Sequence, residues 1–144
     1  MIRSRILFGV VIAVAQSSLT LVVARGASYT WTGGGAAPTW STSGNWVAAP
    51  GPQSGTNTAL LGGTTRLTNL VNNAAALDRL EFLPSAGAFT IGGTGSGSSR
   101  TLNMRGDIVN GSSATQTIGI SGTNYLNVSW GTNTATRTID TTSG

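Results

Sequence analysis

Residues 80–104 read LEFLPSAGAFTIGGTGSGSSRTLNM, and the spacing of their large apolar side chains decides the fold. Leu80 and Phe82 stand two apart, as do Phe89 and Ile91, and then Leu102 and Met104. A period of two puts both members of a pair on one face of an extended chain, the mark of a half-buried strand. Residues 84–87 and 92–99 separate the pairs with the Gly, Ser and Pro that turns favour. The unit continues outward in Ile118/Ile120 and Leu126/Val128, with turn-forming stretches at 110–114, 121–124 and 131–134. Strand starts recur about every ten residues, as in folds built from many short, evenly spaced strands.

Working back from this tract, residues 73–82 (NAAALDRLEF) admit two readings. They could form a helix capped by Asn73, with Leu77 and Leu80 on one face. A helix of about ten residues is marginal without packing support, and Pro84 follows at once. Leu80-Glu81-Phe82 also fits the recurring pair, so a strand is expected. Ala59-Leu60-Leu61, ended by Gly62-Gly63, reads as another short strand, and Pro50-Gly51-Pro52 marks a loop.

Upstream lies residues 29–46, YTWTGGGAAPTWSTSGNW, which holds Trp31, Trp40 and Trp46 of the 4 tryptophans. Large aromatics so concentrated in a chain poor in bulky side chains point to a packed cluster that closes one end of the fold. The expected organisation is a Trp-rich N-terminal cap and loop over 25–63, followed by β-solenoid repeats over 64–144. Aromatic faces also stack on sugar rings, so Trp31, Trp40, Trp46 and Trp130 are the candidate glycan-stacking residues, with Tyr29 beside them. Burial in a cap is the weightier reading of the first three. Trp130, flanked by Ser129 and Gly131, is expected to be the more exposed.

Residues 1–24 read as a secretory signal. Arg3 and Arg5 form a positive start, residues 6–15 (ILFGVVIAVA) an apolar run, and Val22-Val23-Ala24 a small-residue cleavage site. Cleavage is expected after Ala24, with Ala24-Arg25-Gly26 as a second site. The alternative is an uncleaved anchor, since residues 6–24 are nearly long enough to span a bilayer; the polar break at Gln16-Ser17-Ser18 argues against it.

Composition narrows the class further. Gly, Thr, Ser and Asn make up about half of the chain, while only 8% of residues are charged. Disordered segments combine low hydrophobicity with high net charge; this chain has little charge and regular apolar punctuation, which fits an all-β solenoid or sandwich. The formal charge of +4 comes from few groups. Arg3, Arg5 and Arg25 lie in or beside the leader, lysine is absent, and the other arginines are scattered, whereas a nucleic-acid surface needs them clustered. With no cysteine, an exported protein must hold together by packing and hydrogen bonds or as part of something larger.

Taken together, Tyr29-Thr30-Trp31-Thr32-Gly33, Trp40-Ser41, Asn45-Trp46, Leu80-Glu81-Phe82, Ser85 through Ile91, and Leu102 through Asn110 followed by Gln116-Thr117-Ile118 resemble the bacterial autotransporter-associated β-strand repeat proteins. The resemblance covers nearly all of the chain after the leader, through individually low-complexity motifs. It implies a right-handed parallel β-helix at the cell surface or outer membrane, acting in display or adhesion. It further implies that residues up to 144, ending in mid-pattern at Thr141-Thr142-Ser143-Gly144, are the amino-terminal part of a longer solenoid. An open end of that kind is expected to make the isolated segment prone to association.

The residues offer little for catalysis. Histidine, cysteine and lysine are all absent, which removes the commonest general base, thiol chemistry, most zinc sites and Schiff-base chemistry. Four acids remain: Asp78, Glu81, Asp107 and Asp140. On a strand, Asp78 and Glu81 fall on opposite faces, while Glu81 shares a face with Arg79 and should pair with it. A glycosidase would need two acids opposed across a cleft. Residues 92–97 (GGTGSG) lack the aspartate of a calcium-binding repeat and the Gly-Lys-Ser/Thr of a phosphate loop. They read as a turn. Asn110-Gly111-Ser112 and Asn127-Val128-Ser129 match the glycosylation sequon but read as turn and strand residues.

The expectation is therefore an exported, non-enzymatic structural passenger that uses no cofactor. Its partners would be surface polysaccharide or neighbouring repeats, not nucleic acid, with membrane contact only through the export signal or a C-terminal anchor outside this chain. The alternative is a secreted carbohydrate-binding or polysaccharide-degrading β-helix module using exposed aromatics.

Overall fold

The computed structural model describes residues 26–48, 51–52, 55–73, 75–94, 100–119, 126–130 and 139–140. The leader and its expected cleavage site at Ala24 lie outside these residues, as do Ile120 and the end at 141–144. The chain starts with β1 (Ser28–Trp31), a 3-10 turn at Ser43–Asn45 and β2 (Trp46–Val47). Three strands then make a full turn of coil: β3 (Thr58–Leu61), β4 (Thr68–Val71) and β5 (Ala75–Leu77). A second turn holds β6 (Arg79–Phe82), β7 (Thr90–Gly93) and β8 (Arg100–Met104), and a third β9 (Ile108–Asn110), β10 (Thr117–Ile118) and β11 (Leu126–Trp130). β12 (Ile139–Asp140) returns to the first wall.

Each strand pairs in parallel with the strand one turn away. The sheets run β12-β9-β6-β3-β1-β2, β10-β7-β4 and β11-β8-β5. Three walls of parallel strands repeated every turn make a β-solenoid of about three turns, in which each turn touches only its neighbours. The exception to parallel pairing is β2, which runs antiparallel to β1 through Thr30–Val47 and Trp31–Trp46. Within the span 73–82, residues 75–82 form strands and not a helix: β5 and β6 belong to different walls, with a bend at Asp78. The bend is held by the Asn57 carbonyl, which accepts the Asp78 N–H at 2.8 Å and the Arg79 N–H at 3.4 Å. Ladder bonds to neighbouring turns thus take the place of the local bonds a helix would have made.

Period-two pairs become inward columns. On the first wall, Ala59, Leu80 and Ile108 stand in register, as do Trp31, Leu61 and Phe82. Asn69, Ile91 and Ile118 align on the second wall. The third wall carries Ala75, Leu102 and Val128, then Leu77, Met104 and Trp130. Leu61, Leu77, Leu80, Ile91, Leu102 and Met104 are fully buried, and each such side chain removed from water contributes about 1.5–3 kcal/mol. Phe89 completes the core against Phe82, with ring centroids 6.2 Å apart. Alternate residues face outward: Arg79 Nε and Glu81 Oε2 meet at 2.8 Å on the outer wall, a half-buried ion pair of small energetic weight.

Corners absorb the differences between turns. From Ala59 to Leu80 the coil advances 21 residues, from Leu80 to Ile108 28, and from Ile108 to Ile139 31, yet all stay in register. Where successive corners touch, the backbone must be bare. A Cβ at Gly106 would lie 1.7 Å from the Asp78 carbonyl oxygen, so only glycine fits there.

This register is testable by paired substitutions. Leu80→Ala should cost about 2–5 kcal/mol in urea unfolding by opening a cavity in the core. Its neighbour Glu81→Ala should cost no more than about 1 kcal/mol, since only a half-buried outward pair is lost. Equal losses would mean that the wall is not oriented as described.

Candidate functional site

The residues with the densest specific contacts lie in the β1–β2 region. Trp46 is central, with its ring 5.0 Å from Trp31 at 80° and 5.5 Å from Trp40 at 83°. Such edge-to-face contacts set the positive edge of one ring against the negative face of the next, adding about 0.5–1.5 kcal/mol per pair beyond burial. Trp46 Nε1 donates to the Trp40 carbonyl at 2.8 Å, and Trp40 Nε1 donates to Asn69 Oδ1 at 3.0 Å. Asn69 is fully buried in the inward column above Ile91. It therefore ties the aromatic cluster to the first full turn of the coil.

The loop that carries Trp40 is folded by two further side chains. Asn45, fully buried, donates through Nδ2 to the carbonyls of Ala37 and Thr39 at 2.7 and 2.9 Å, and its Oδ1 accepts the Gly35 N–H at 2.8 Å. Arg66, at φ 51°, reaches from the next turn to donate Nε to the Gly33 carbonyl at 2.9 Å and Nη2 to the Gly35 carbonyl at 2.7 Å. Gly33 has φ 65°, the left-handed region, and a side chain there would also press on Thr65 and Arg66. Backbone bonds from Trp40 N–H to the Leu70 carbonyl and from Leu70 N–H to the Pro38 carbonyl lay this loop along the edge of β4.

Trp31, Trp40 and Trp46 are 2%, 2% and 5% exposed. In that arrangement their faces are covered by one another and by the core, so they have no surface to offer a sugar. Trp130 differs, at 37% exposed at the outer end of the Leu77–Met104 column. Around that end of the coil opens a cavity of about 320 Å³, lined by Phe82, Ile108, Ile118 and Ile139, with Asn110, Gln116 and Asp140 among its polar residues.

Between the two ends, polar side chains knit the corners. Gln116 accepts the Phe89 N–H through Oε1 at 2.9 Å and donates through Nε2 to the carbonyls of Gly87 and Ala114, joining the second and third turns. Asn110 Oδ1 accepts the Ser112 N–H, and its Nδ2 donates to the Ala114 carbonyl, so this sequon asparagine is occupied in its turn. Ser112 Oγ donates to the Ala86 carbonyl.

The acids do not converge. Register puts Glu81, Val109 and Asp140 in one outward column of the first wall, with Asp78 and Asp107 at its corners. Glu81 and Asp140 are thus separated by two strand spacings, about 9.5 Å along a wall and not across a cleft. Among the described residues no group of three His, Cys, Asp or Glu side chains could hold a metal ion. Gly92 and Gly93 extend β7, while residues 95–99 of the glycine-rich stretch lie outside the described residues.

Sequence reasoning singles out neither Arg66 nor Asn69, and names Asn45 only within the Asn45-Trp46 motif. A signal existed for Asn69: in Thr68-Asn69-Leu70-Val71 it shares the face of Val71, and an inward polar residue needs a partner. Removing it should show this. Asn69→Ala leaves the buried Trp40 N–H without its acceptor and should destabilise the fold by about 1–3 kcal/mol, read by urea unfolding. Full stability in that variant would mean that the indole finds another partner. Comparison of the chain with protein-family models, with curated proteins and with solved structures finds no match.

Proposed function

We propose that this chain is an exported, non-enzymatic passenger segment, a β-solenoid that spaces or displays other parts at the cell surface. The observation that supports this best is the constancy of the inward columns while the turns lengthen from 21 to 28 to 31 residues. A wall that keeps its register while its corners vary suits a spacer, because surface loops can change without cost to the core. In this reading the coil is right-handed, residues 1–24 are a signal removed after Ala24, and the Trp31/Trp40/Trp46 cluster is the N-terminal cap of the solenoid. Adhesion to surface polysaccharide, and stacking on neighbouring repeats of the same protein, are its uses. Membrane contact comes only through the export signal or an anchor beyond this chain.

The deciding experiment is an immunoblot of fractionated source cells with an antibody against residues 28–144. The expected outcome is a band much heavier than this chain in the outer-membrane or medium fraction. A soluble band near the size of the mature chain, in periplasm or medium, would overturn the passenger reading in favour of a small secreted binding protein.

The exposure of Trp130 favours a second reading, glycan binding at the outer end of the coil. Soluble glycans would then quench or shift tryptophan emission, and Trp130→Ala would abolish the response. Emission unchanged by any glycan tested would leave the aromatic cluster with a packing role alone.

A further inference from the structure

Asn110-Gly111 is the one Asn-Gly pair in the chain, and it sits at the corner where β9 ends. Such a pair carries a reaction of its own. The Gly111 amide nitrogen, once a base has taken its proton, can attack Asn110 Cγ. A C–N bond forms, the Cγ–Nδ2 bond breaks, and the side-chain amide leaves as ammonia after taking a proton from water. Water then opens the five-membered succinimide at either carbonyl and leaves aspartate or isoaspartate at 110. Glycine hinders this attack least, because no Cβ shields the nitrogen. It stands here for a reason of packing: a Cβ at Gly111 would lie 3.1 Å from the Phe82 carbonyl oxygen.

The folded corner occupies every group the reaction uses. Gly111 N–H donates to the Phe82 carbonyl at 2.8 Å, so the nucleophile holds its proton in a bond to the previous turn. Asn110 Oδ1 accepts the Ser112 N–H at 3.1 Å, and its Nδ2 donates to the Ala114 carbonyl at 3.2 Å. These bonds oppose the swing that would close a ring on the Gly111 nitrogen. Ser112 is 1% exposed; its Oγ donates to the Ala86 carbonyl and accepts the Ala114 N–H at 3.0 Å, which anchors the corner to the turn beneath.

We propose that Asn110-Gly111 is a deamidation site gated by the fold: silent while the third turn is seated, reactive when its corner opens, and self-locking afterwards. The locking follows from the product. A carboxylate has no hydrogen to donate to the Ala114 carbonyl. It also brings charge to the position in register with the buried Phe82. An isoaspartyl link adds a carbon to the backbone between 110 and 111, which takes Gly111 N–H out of step with Phe82. Opening proceeds turn by turn, since each turn of a solenoid touches only its neighbours. Time spent open is thus recorded at one residue, wherever the protein resides.

The test is peptide mapping by tandem mass spectrometry of the full chain held at mildly alkaline pH, with and without urea. Asn110 should convert at least about tenfold more slowly without urea, because the reaction waits for the corner to open. Ser112→Ala removes the anchor but keeps the Asn-Gly pair, and should speed conversion in buffer while far-ultraviolet circular dichroism retains its β signal. Asn69→Ala, which weakens the first full turn, should leave the Asn110 rate unchanged. Chain converted in urea should regain less β signal on return to buffer than unreacted chain. Equal rates with and without urea would overturn the gating. No acceleration in Ser112→Ala, or an equal one in Asn69→Ala, would overturn its assignment to this corner. Full recovery of the converted chain would overturn the locking, and neither this arm nor the urea comparison needs a variant.

Discussion

The structure depends on one constraint: each inward residue must stand in hydrogen-bonded register with an inward residue one turn earlier. Parallel ladders between β3, β6 and β9 align Ala59 with Leu80 and Ile108, and thereby align everything else on that wall. A slip of one residue would turn the core face outward along a whole strand. Thin as it is, the core can be specified because the backbone does the aligning and the apolar pairs select the parity. This also explains how a chain so rich in Gly, Thr, Ser and Asn can hold an ordered interior without disulfides. Its small residues are the corners, where turns such as those at Gly106 and Asp78 come within contact distance.

Polar groups inside the fold follow the same logic. Asn69 occupies a position that parity assigns to an apolar side chain, and it is kept there by the Trp40 indole. Asn45 folds a loop from within by bonding three backbone groups at once. Arg66 ties two glycine carbonyls of a loop that precedes it by more than thirty residues. Asn69 and Arg66 link the irregular β1–β2 region to the regular coil, while Asn45 braces that region from within. The same region also carries tension in its accounting: Trp31 Nε1 and Asn69 Nδ2 are buried without a partner, so aromatic packing outweighs incomplete hydrogen bonding there.

Local pattern carried much of this. Leu80/Phe82, Phe89/Ile91 and Leu102/Met104 are buried as their spacing requires, and Arg79 meets Glu81 because both lie on the outward parity of one strand. Parity says which side of a strand is buried, but not which strand lies next to it. The grouping into three walls, the antiparallel return of β2 and the inward place of Asn69 are decided by residues 15 or more positions away, and no short-range pattern records them. The tryptophans illustrate the boundary. Their clustering was legible as packing, whereas the contrast between three covered rings and Trp130 arises from the position of each in its column. Glu81 and Asp140 came into one column for the same reason, through register across turns of unequal length.

The unequal turns also bear on how such a coil assembles. Closing a loop costs entropy only as the logarithm of its length, so doubling a loop adds about 0.6 kcal/mol. Going from 21 to 31 residues therefore adds less than that, while the ladder and apolar columns offered by the preceding turn stay the same. With a nearly constant cost per added turn, order can spread like a zipper from one turn to the next as the chain emerges. A polypeptide delivered amino end first would meet a ready template at every stage, and no residue would have to wait for a distant partner still to be made.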